Sequence, residues 1–237
     1  MQLFYYPQAS RDVSNLSLEK EDTRHMTKVL RKKAGDQINI TNGLGDLFNG
    51  KIDSITSNRT VIELTHIKHV SRPQPELHIA IAPTKMNDRM EWFIEKATEM
   101  GITTITPILC ENSERRKINV ERFDRIAISA MKQSLQFHKP VINKLTSIDE
   151  FLEIQKLGNR FIAHCEDQDK TFIDDALEVN KDACILIGPE GDFSTQEIKK
   201  AIESDFIPIA LGNNRLRTET AGIYAVTAFN LINKHRS

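Results

Sequence analysis

Two segments of the chain place glycines and charged side chains directly after an apolar run, where many α/β proteins bind a ligand. In the first segment, residues 185–194, the apolar run is followed by Gly188, Pro189, Glu190 and Gly191. The two glycines let a ligand approach the backbone closely, and they adopt dihedral angles that other residues avoid. This pattern indicates either a small-ligand site or a tight structural turn.

The second segment, residues 211–221, repeats this organisation. Leu211 and Gly212 end a predicted strand, and a polar loop then leads into a helix. Thr218 suits the N-cap of that helix, and Glu219 in the first turn suits the helix dipole. Because the two segments follow consecutive predicted strands, we expect them to lie side by side and to enclose a small ligand.

The chain lacks two glycine patterns that bind phosphate groups, and this limits the ligands that it can bind. The chain contains neither G-x-G-x-x-G nor G-x-x-x-x-G-K-[ST], the glycine patterns that cradle dinucleotides and triphosphates. An adenosine group without phosphates fits better, because adenine needs apolar walls and backbone hydrogen bonds rather than an anion nest.

A run of cations in residues 24–33 is the strongest sign of a polyanionic partner. It holds five lysines and arginines together with His25 and no acid, although the net charge of the chain is only −1. Clustered cations bind RNA phosphates by releasing counterions, but the run also fits a solvated helix face. His25 is interpreted as an RNA contact or, alternatively, as a packed imidazole.

The patterning changes at a proline-containing linker, residues 71–75. Residues 1–70 are predicted to form a β-barrel with one helix. Residues 76–237 alternate strands with helices, which is typical of an α/β domain with a mostly parallel sheet. The predicted strands are residues 2–6, 37–41, 46–54, 60–67, 77–82, 103–109, 160–165, 183–188 and 206–211, and the predicted helices are residues 19–32, 88–100, 120–135, 148–155, 194–204 and 219–234.

Two of these helices carry further signals. Ser194 and Glu197 form a capping box, which predicts where the helix over residues 194–204 begins. Residues 221–232 of the last helix are apolar on nearly every face, so this helix must be buried all round. A second subunit covering its outer face is the simplest solution, and a groove in the monomer is the alternative.

Composition argues against several other classes of protein. There is no apolar run near the roughly 18 residues of a membrane span, and the N-terminus lacks the apolar stretch of a secretory signal. Three well-separated cysteines are typical of reduced, buried thiols in a cytoplasmic protein. His66-x-x-His69 lacks further ligands at metal-binding spacing, so we expect exposed histidines and no metal.

The two glycine segments, read as GPEG-x-F-S and LG-x-x-x-LR-x-ETA, resemble the SPOUT methyltransferases. They are most similar to the ribosomal RNA small subunit methyltransferase E family, which methylates N3 of a uridine in 16S ribosomal RNA. Patterns within residues 25–36 and 42–45 resemble the PUA-like domain of that family, and patterns within residues 85–101 agree with its central region. The resemblance covers nearly the whole chain.

The resemblance implies a deep trefoil knot in the C-terminal α/β domain, behind an N-terminal PUA-like RNA-binding barrel. It also implies a homodimer, S-adenosylmethionine as cofactor, and ribosomal RNA, within the small subunit, as partner. The cofactor-binding positions that it implies are Ile187, Gly188, Pro189, Glu190, Gly191, Leu211, Gly212, Leu216, Arg217, Thr218 and Ala221.

Methyl transfer to N3 of uracil requires loss of the N3 proton, after which negative charge spreads to the ring carbonyls. Arg217 is our first choice to stabilise that charge, because its planar fork suits a carbonyl oxygen. A structural salt bridge to Glu219 or Glu190 is the alternative role for Arg217. Either glutamate is a candidate proton acceptor, and either could instead brace the loops. The expected RNA contacts are Arg24, His25, Arg31, Lys33, Lys85, Arg89, Lys96, Arg115 and Arg116.

Two positions depart from the family pattern. Asp192 stands where the family usually has the last glycine of GPEGG, and we expect its carboxylate to cap the following helix. In residues 131–136 the chain lacks the acid that the family more often has before the Gln and the Arg that it has after the Ser. The resemblance therefore identifies no substrate contact in this stretch.

The rival functions are a SPOUT enzyme acting on a transfer RNA base or a ribose 2′-hydroxyl, and a non-catalytic RNA-binding ribosome-assembly factor. A nicotinamide-dependent enzyme is a third alternative, but the chain lacks the glycine fingerprint of that class.

Overall fold

The computed structural model describes residues 2–155 and 158–233. The chain divides into two compact units, each described by itself below. The first comprises Met1–Arg72 and Met131–Lys139, and the second comprises Pro73–Ala130 and Pro140–Ser237. Lys234, the predicted end of the last helix, lies outside the described residues.

The first unit is a curled five-stranded sheet with one short helix. Its strands pair in the order β1-β3-β4-β5-β2, and alternate residues such as Ile38, Ile40 and Ile62 fill its apolar side. The elements are β1 (Leu3–Tyr5), β2 (Asn15–Leu18), α1 (Lys20–Arg24), β3 (Gln37–Thr41), β4 (Asp46–Ile55) and β5 (Thr60–His69). The sequence patterns predicted four of these strands and missed β2.

The single α-helix predicted over residues 19–32 is wrong in length and type. After α1 the chain widens into a π-helical turn, His25–Val29, in which the Leu30 N–H donates to the His25 carbonyl over 3.1 Å. Arg31 then adopts a left-handed φ of 54°, which ends the helix because such a conformation cannot continue it.

A segment distant in sequence, Met131–Lys139, completes the first unit. The Gly45 N–H donates to the Phe137 carbonyl over 2.9 Å, and the Lys139 N–H donates to the Gly43 carbonyl over 2.9 Å. Gly45 must be glycine because its φ is 100° and a Cβ there would collide with the Val70 carbonyl oxygen. The sequence division had assigned this segment to residues 76–237.

The second unit alternates strands and helices, as predicted. The elements are β6 (Leu77–Ile81), α2 (Asn87–Glu99), β7 (Thr104–Leu109), α3 (Val120–Gln133), β8 (Val141–Ile142), β9 (Thr146–Ser147), α4 (Ile148–Ile154), β10 (Asn159–Ala163), β11 (Thr171–Phe172), α5 (Ile173–Ala176), β12 (Ala183–Ile187), α6 (Thr195–Glu203), β13 (Ile207–Ala210) and α7 (Thr218–Ile232). The short elements β8, β9, β11 and α5 were missed, since two to four residues carry too little periodicity to recognise.

The strands of this unit form a parallel sheet in the order β11-β13-β10-β12-β6-β7-β8, with β9 paired to β7. This arrangement confirms the predicted α/β domain with a mostly parallel sheet. One apolar cluster packs α2 and α7 on one face, and a second packs α4 and α6 on the other. Because the strands are parallel, the loops that follow them meet along one edge.

Helix α7 packs its inner face against α2 at close range. A Cβ on Gly222 would lie 2.5 Å from the Phe93 ring, so only glycine permits this approach. The Asn230 side-chain amide also donates to the Met100 carbonyl over 2.7 Å. Among residues 2–155 and 158–233, no helix is both long and apolar enough to cross a membrane.

Candidate functional site

The loop after β12, residues 188–194, lies at the carboxyl edge of the parallel sheet and is the hub to which the neighbouring loops are hydrogen-bonded. The buried Thr218 hydroxyl, at the start of α7, donates a hydrogen bond to the Gly188 carbonyl over 3.0 Å. This bond confirms the prediction that the two glycine segments lie together.

The two glycine segments do not follow neighbouring strands of the sheet. Strands β12 and β13 follow each other in the sequence, but in the sheet β10 lies between them. The loop after β13 must therefore pass the end of β10 before α7 begins at Thr218, beside Gly188. The predicted N-cap is also wrong, because Arg217 is the N-cap of α7 and Thr218 uses its hydroxyl to hold the loop instead.

On one side, the hub is tied to the loop that follows β6. The Glu190 carboxylate accepts a hydrogen bond from the Lys85 N–H over 3.0 Å. Arg115 holds the same loop by donating to the carbonyls of Thr84 and Lys85 over 3.0 and 2.6 Å. The Lys85 ammonium pairs with Glu114 at 2.7 Å, and this contact raises the pKa of Lys85. Glu190 therefore braces two loops, as one of our two interpretations expected.

The loop that follows β7 also holds the hub. The Asn112 side-chain amide donates to the carbonyls of Gly191 and Asp192 over 3.3 and 3.1 Å. The Glu197 carboxylate accepts the Glu111 N–H over 2.8 Å. A Cβ on Gly191 would lie 3.1 Å from the Asn112 Cβ, so this glycine permits the loops to pack closely.

Asp192 does not cap α6, contrary to our expectation. The predicted capping box of Ser194 and Glu197 is present and already satisfies the start of that helix. Asp192 instead accepts the Cys165 N–H over 2.7 Å and the Phe193 N–H over 2.9 Å. It therefore joins the hub to the loop after β10, on the side opposite Glu190.

Arg217 has an exposed side chain at the N-cap of α7. Within residues 2–155 and 158–233 it forms no ion pair with Glu219 or Glu190, so the salt-bridge alternative is wrong for the described residues. Its guanidinium is thus available to a substrate atom.

Glu219 is only 7% exposed. One carboxylate oxygen, Oε1, lies 3.8 Å from the Arg89 Nε. The other, Oε2, is buried and has no hydrogen-bond partner among the described residues. Burying an unsatisfied carboxylate oxygen is costly, so this atom is a candidate contact for a substrate or a water molecule.

The lining of the two glycine segments suits an adenosine group. Ile187, Gly188 and Pro189 are buried, whereas Leu211 and Leu216 are partly buried against the apolar core. Gly212 has a φ of 135° with open space where a side chain would be. Apolar walls beside open glycine backbone are what a non-phosphorylated adenosine ligand requires.

The expected RNA-binding residues fall into two groups. In the first unit, Arg24, His25, Arg31 and Lys33 are all exposed, so the packed-imidazole alternative for His25 is wrong. In the second unit, Lys96 donates to Glu95 over 2.6 Å and to Glu99 over 3.0 Å, and these bonds raise its pKa. Arg116 is exposed, whereas Arg89 and Arg115 are partly buried.

A buried carboxylate in the first unit was missed by the sequence analysis. Asp46 accepts hydrogen bonds on one oxygen from Arg11 over 2.7 Å, His66 over 3.1 Å and His69 over 3.0 Å. Ile67 has no partner in the β4–β5 register, and this bulge brings His66 and His69 to the same face of the sheet. Both histidines are exposed, as predicted, and both are hydrogen-bonded to Asp46.

Two of the three cysteines are buried, Cys110 and Cys184, and burial raises their pKa. Cys165 is exposed, which corrects the expectation that all three are buried. The part of the chain that the structure describes contains no group of three His, Cys, Asp or Glu side chains able to hold a metal ion.

Comparisons with known proteins agree with this architecture. Residues 71–230 match the family model of the RNA methyltransferase domain, and residues 18–65 match that of the RNA methyltransferase PUA domain. The chain is 31% identical over 229 residues to a ribosomal RNA small subunit methyltransferase E from Rickettsia conorii, which covers 94% of this chain and 92% of that protein.

Solved structures are similar over the full length. A probable rRNA methyltransferase from Porphyromonas gingivalis is 38% identical, covers 98% of both chains and has a TM-score of 0.86. A ribosomal RNA small subunit methyltransferase E from Neisseria gonorrhoeae, bound to S-adenosyl methionine, is 25% identical, covers 98% of both chains and has a TM-score of 0.83.

Proposed function

The chain belongs to the RNA methyltransferase family, and from this premise we propose that it methylates N3 of a uridine in 16S ribosomal RNA with S-adenosylmethionine as donor. The similarity to ribosomal RNA small subunit methyltransferase E proteins supports this substrate. The observation that carries the proposal is the Thr218–Gly188 hydrogen bond, since it joins the two segments that would have to enclose the donor.

The donor would be held by the two glycine segments. Gly188, Gly191 and Gly212 offer backbone groups, and Leu211 and Leu216 offer apolar walls for the adenine. When bound, S-adenosylmethionine supplies an electrophilic methyl group on a positively charged sulfur. The cradle would align the uracil N3 behind that methyl group, and such positioning contributes much of the rate of a displacement reaction.

Arg217 would stabilise the transition state. As N3 loses its proton, negative charge develops on the two carbonyl oxygens of the uracil. The Arg217 guanidinium is exposed on the loop that carries Leu216 and has no competing carboxylate among the described residues. A cation aimed at developing charge stabilises the transition state more than the ground state.

Glu219 is the proton acceptor that we propose. Its Oε2 atom lacks a partner among the described residues, whereas the Oε1 of Glu190 is engaged by the Lys85 N–H. Arg89 lies 3.8 Å from Glu219 Oε1, which leaves Oε2 to accept the N3 proton. Glu190 then has the bracing role.

We further propose the deep trefoil knot that the resemblance implies. Two observations support it: β10 lies between β12 and β13, and the chain after β13 returns to Gly188 through Thr218.

RNA binding is assigned to a PUA-like domain over residues 1–70, which is followed by a linker at 71–75. The methyltransferase domain comprises residues 76–237 apart from Met131–Lys139, the segment that completes the first unit. The exposed cations of the first unit support this role, because phosphate contacts dominate the affinity of most RNA-binding surfaces. Arg24, His25, Arg31 and Lys33 are the proposed contacts there. Lys85, Arg89, Lys96, Arg115 and Arg116 are the proposed contacts in the second unit.

A homodimer would cover the outer faces of α2 and α7. Trp92 is 46% exposed on α2, and Tyr224 and Leu231 are 45% and 66% exposed on α7. Large exposed apolar side chains on neighbouring helices mark an interaction surface, and a second copy of the chain is the occupant that we propose. A ribosomal substrate would place this dimer in the cytoplasm.

Two measurements test the function. Calorimetry of the purified chain with S-adenosylmethionine should show binding, and ribosomal RNA from a strain lacking the protein should lose one N3-methyluridine. A methyl group lost instead from transfer RNA or from a ribose would replace the substrate that we propose. Absence of donor binding would leave an RNA-binding assembly factor as the better description.

A further inference from the structure

Asp192 occupies a backbone position that favours glycine. Its φ is 64°, in the left-handed region that only glycine visits freely and that asparagine and aspartate tolerate better than other residues. A side chain at this position therefore carries a local conformational cost, which calls for a compensating contact.

That contact is a double hydrogen bond to backbone N–H groups. One oxygen of Asp192 accepts the Cys165 N–H over 2.7 Å, and the other accepts the Phe193 N–H over 2.9 Å. Hydrogen bonds from N–H groups to an ionised carboxylate are about twice as strong as neutral ones. The first of these bonds spans 27 residues of sequence and joins the loops after β10 and β12.

Hydrogen bonds from other side chains also hold the loop after β10. The Lys170 ammonium donates to the carbonyls of His164 and Glu166 over 3.0 and 2.7 Å. The Thr195 hydroxyl, at the start of α6, donates to the Glu166 carboxylate over 2.5 Å. At the start of this loop, Lys170 holds the His164 carbonyl and Asp192 holds the Cys165 N–H.

His164, next to Cys165, is the residue that this arrangement holds. It is 7% exposed, and its Nδ1 is buried without a partner among the described residues. Burial lowers the pKa of His164, so the ring is neutral near pH 7. His164 directly follows β10, the strand that lies between β12 and β13 in the sheet.

We infer that Asp192 is a positioning residue that locks the loop after β10 against the loop after β12 before the methyl donor binds. It replaces the conformational freedom of glycine with a fixed cross-link, so the cradle does not have to be ordered at the moment of binding. This inference rests on the proposed function, because the donor is the ligand whose affinity the lock would raise.

The test measures loop order and donor affinity separately, in the full chain. Asp192→Gly relieves the backbone conformation but removes the cross-link, and Asp192→Asn keeps a weaker acceptor. In the absence of ligand, exchange of the Cys165 amide hydrogen should quicken by about 10–100-fold in Asp192→Gly and by less in Asp192→Asn, in keeping with loss of a charge-assisted bond. The dissociation constant for S-adenosylmethionine should rise by roughly tenfold in Asp192→Gly.

Asp205→Gly is the matched control. Asp205 has the same left-handed conformation, with a φ of 61°, but it is exposed after α6, and its side chain pairs with Arg160 at 3.2 Å. This variant should change neither the Cys165 exchange rate nor the donor affinity.

The outcomes separate the two ideas. If the wild type binds the donor and Asp192→Gly leaves either the Cys165 exchange or the donor affinity unchanged, the positioning role is wrong and the proposed function stands. If the wild type binds no donor, the proposed function fails, and the lock loses its ligand even where the exchange rates change as expected.

Discussion

The hydroxyl of Thr218 and the carbonyl oxygen of Gly188 lie 3.0 Å apart in a buried hydrogen bond between residues 30 positions apart. This contact joins the start of α7 to the end of β12. It therefore determines whether the two glycine segments form one site or two separate turns.

Thr218→Val tests this contact because valine keeps the shape and removes the hydroxyl. The Gly188 carbonyl would remain buried without its donor, so the free energy of unfolding should fall by about 1–3 kcal/mol. Donor affinity should fall as well. Urea unfolding and calorimetry measure the two effects, and Thr218→Ser, which retains the hydroxyl, should stay close to the wild type. Unchanged stability and affinity in Thr218→Val would mean that other contacts hold the segments together.

Arg217→Ala tests stabilisation of the uracil charge. Loss of a cation that acts in the transition state should lower kcat by roughly 10²–10³-fold, with a smaller change in donor affinity. Single-turnover methylation of a ribosomal RNA fragment gives the rate. Arg215→Ala is the control, since Arg215 is an exposed arginine in the same loop and should change kcat by only about twofold. Equal losses of kcat in both variants would mean that the positive charge of the whole loop, and not Arg217 in particular, supports the reaction.

Glu219→Gln tests the proton acceptor. Glutamine keeps the shape of the side chain but has no carboxylate oxygen to accept the N3 proton. The variant should lose roughly 10²–10⁴-fold in the rate of single-turnover methylation. Glu190→Gln should lose less, because its amide oxygen can still accept the Lys85 N–H. An unchanged methylation rate in Glu219→Gln would assign the proton to another group.

Asp46→Asn tests the buried carboxylate of the first unit. Burial alone would raise the pKa of Asp46, but hydrogen bonds from Arg11, Asn42, His69 and His66 outweigh it and hold the pKa well below its usual range. A pKa that is lower in the folded state stabilises the fold at pH values above the unfolded-state pKa, which is about 4 for aspartate. This stabilisation is lost as the pH falls further. Asp46→Asn should therefore cost about 1–3 kcal/mol near neutral pH and less near pH 3.

Unfolding followed by circular dichroism at the two pH values measures this difference. Asp12→Asn is the control, because Asp12 is exposed and should show little effect at either pH. A cost for Asp46→Asn that does not depend on pH would show that the carboxylate charge is unimportant.

Leu231→Asp tests the dimer. A charge placed on the outer face of α7 would be desolvated in the proposed interface, and an unpaired buried charge is strongly unfavourable. Sedimentation at micromolar concentration should show a dimer for the wild type and a monomer for the variant. Ile154→Asp is the control, since Ile154 is 69% exposed on α4, at the opposite face of the sheet. A monomeric wild type would contradict the dimer.

Features encoded over a few neighbouring residues could be predicted from the chain alone. The capping box of Ser194 and Glu197 depends on a spacing of three residues, and the buried strand β12 is a continuous apolar run. The glycine segments could be recognised for the same reason, because the composition of a loop is local.

Contacts between distant segments followed only from the tertiary structure. The partner of Asp192 is Cys165 because β10 lies beside β12, and the partners of Asp46 meet because Ile67 bulges out of β5. Strand order and register are chosen by the summed packing of the whole sheet, in which each local pattern fits several arrangements equally well. Helix and strand periodicity therefore identified the elements, whereas the folded sheet determined which side chains of those elements meet.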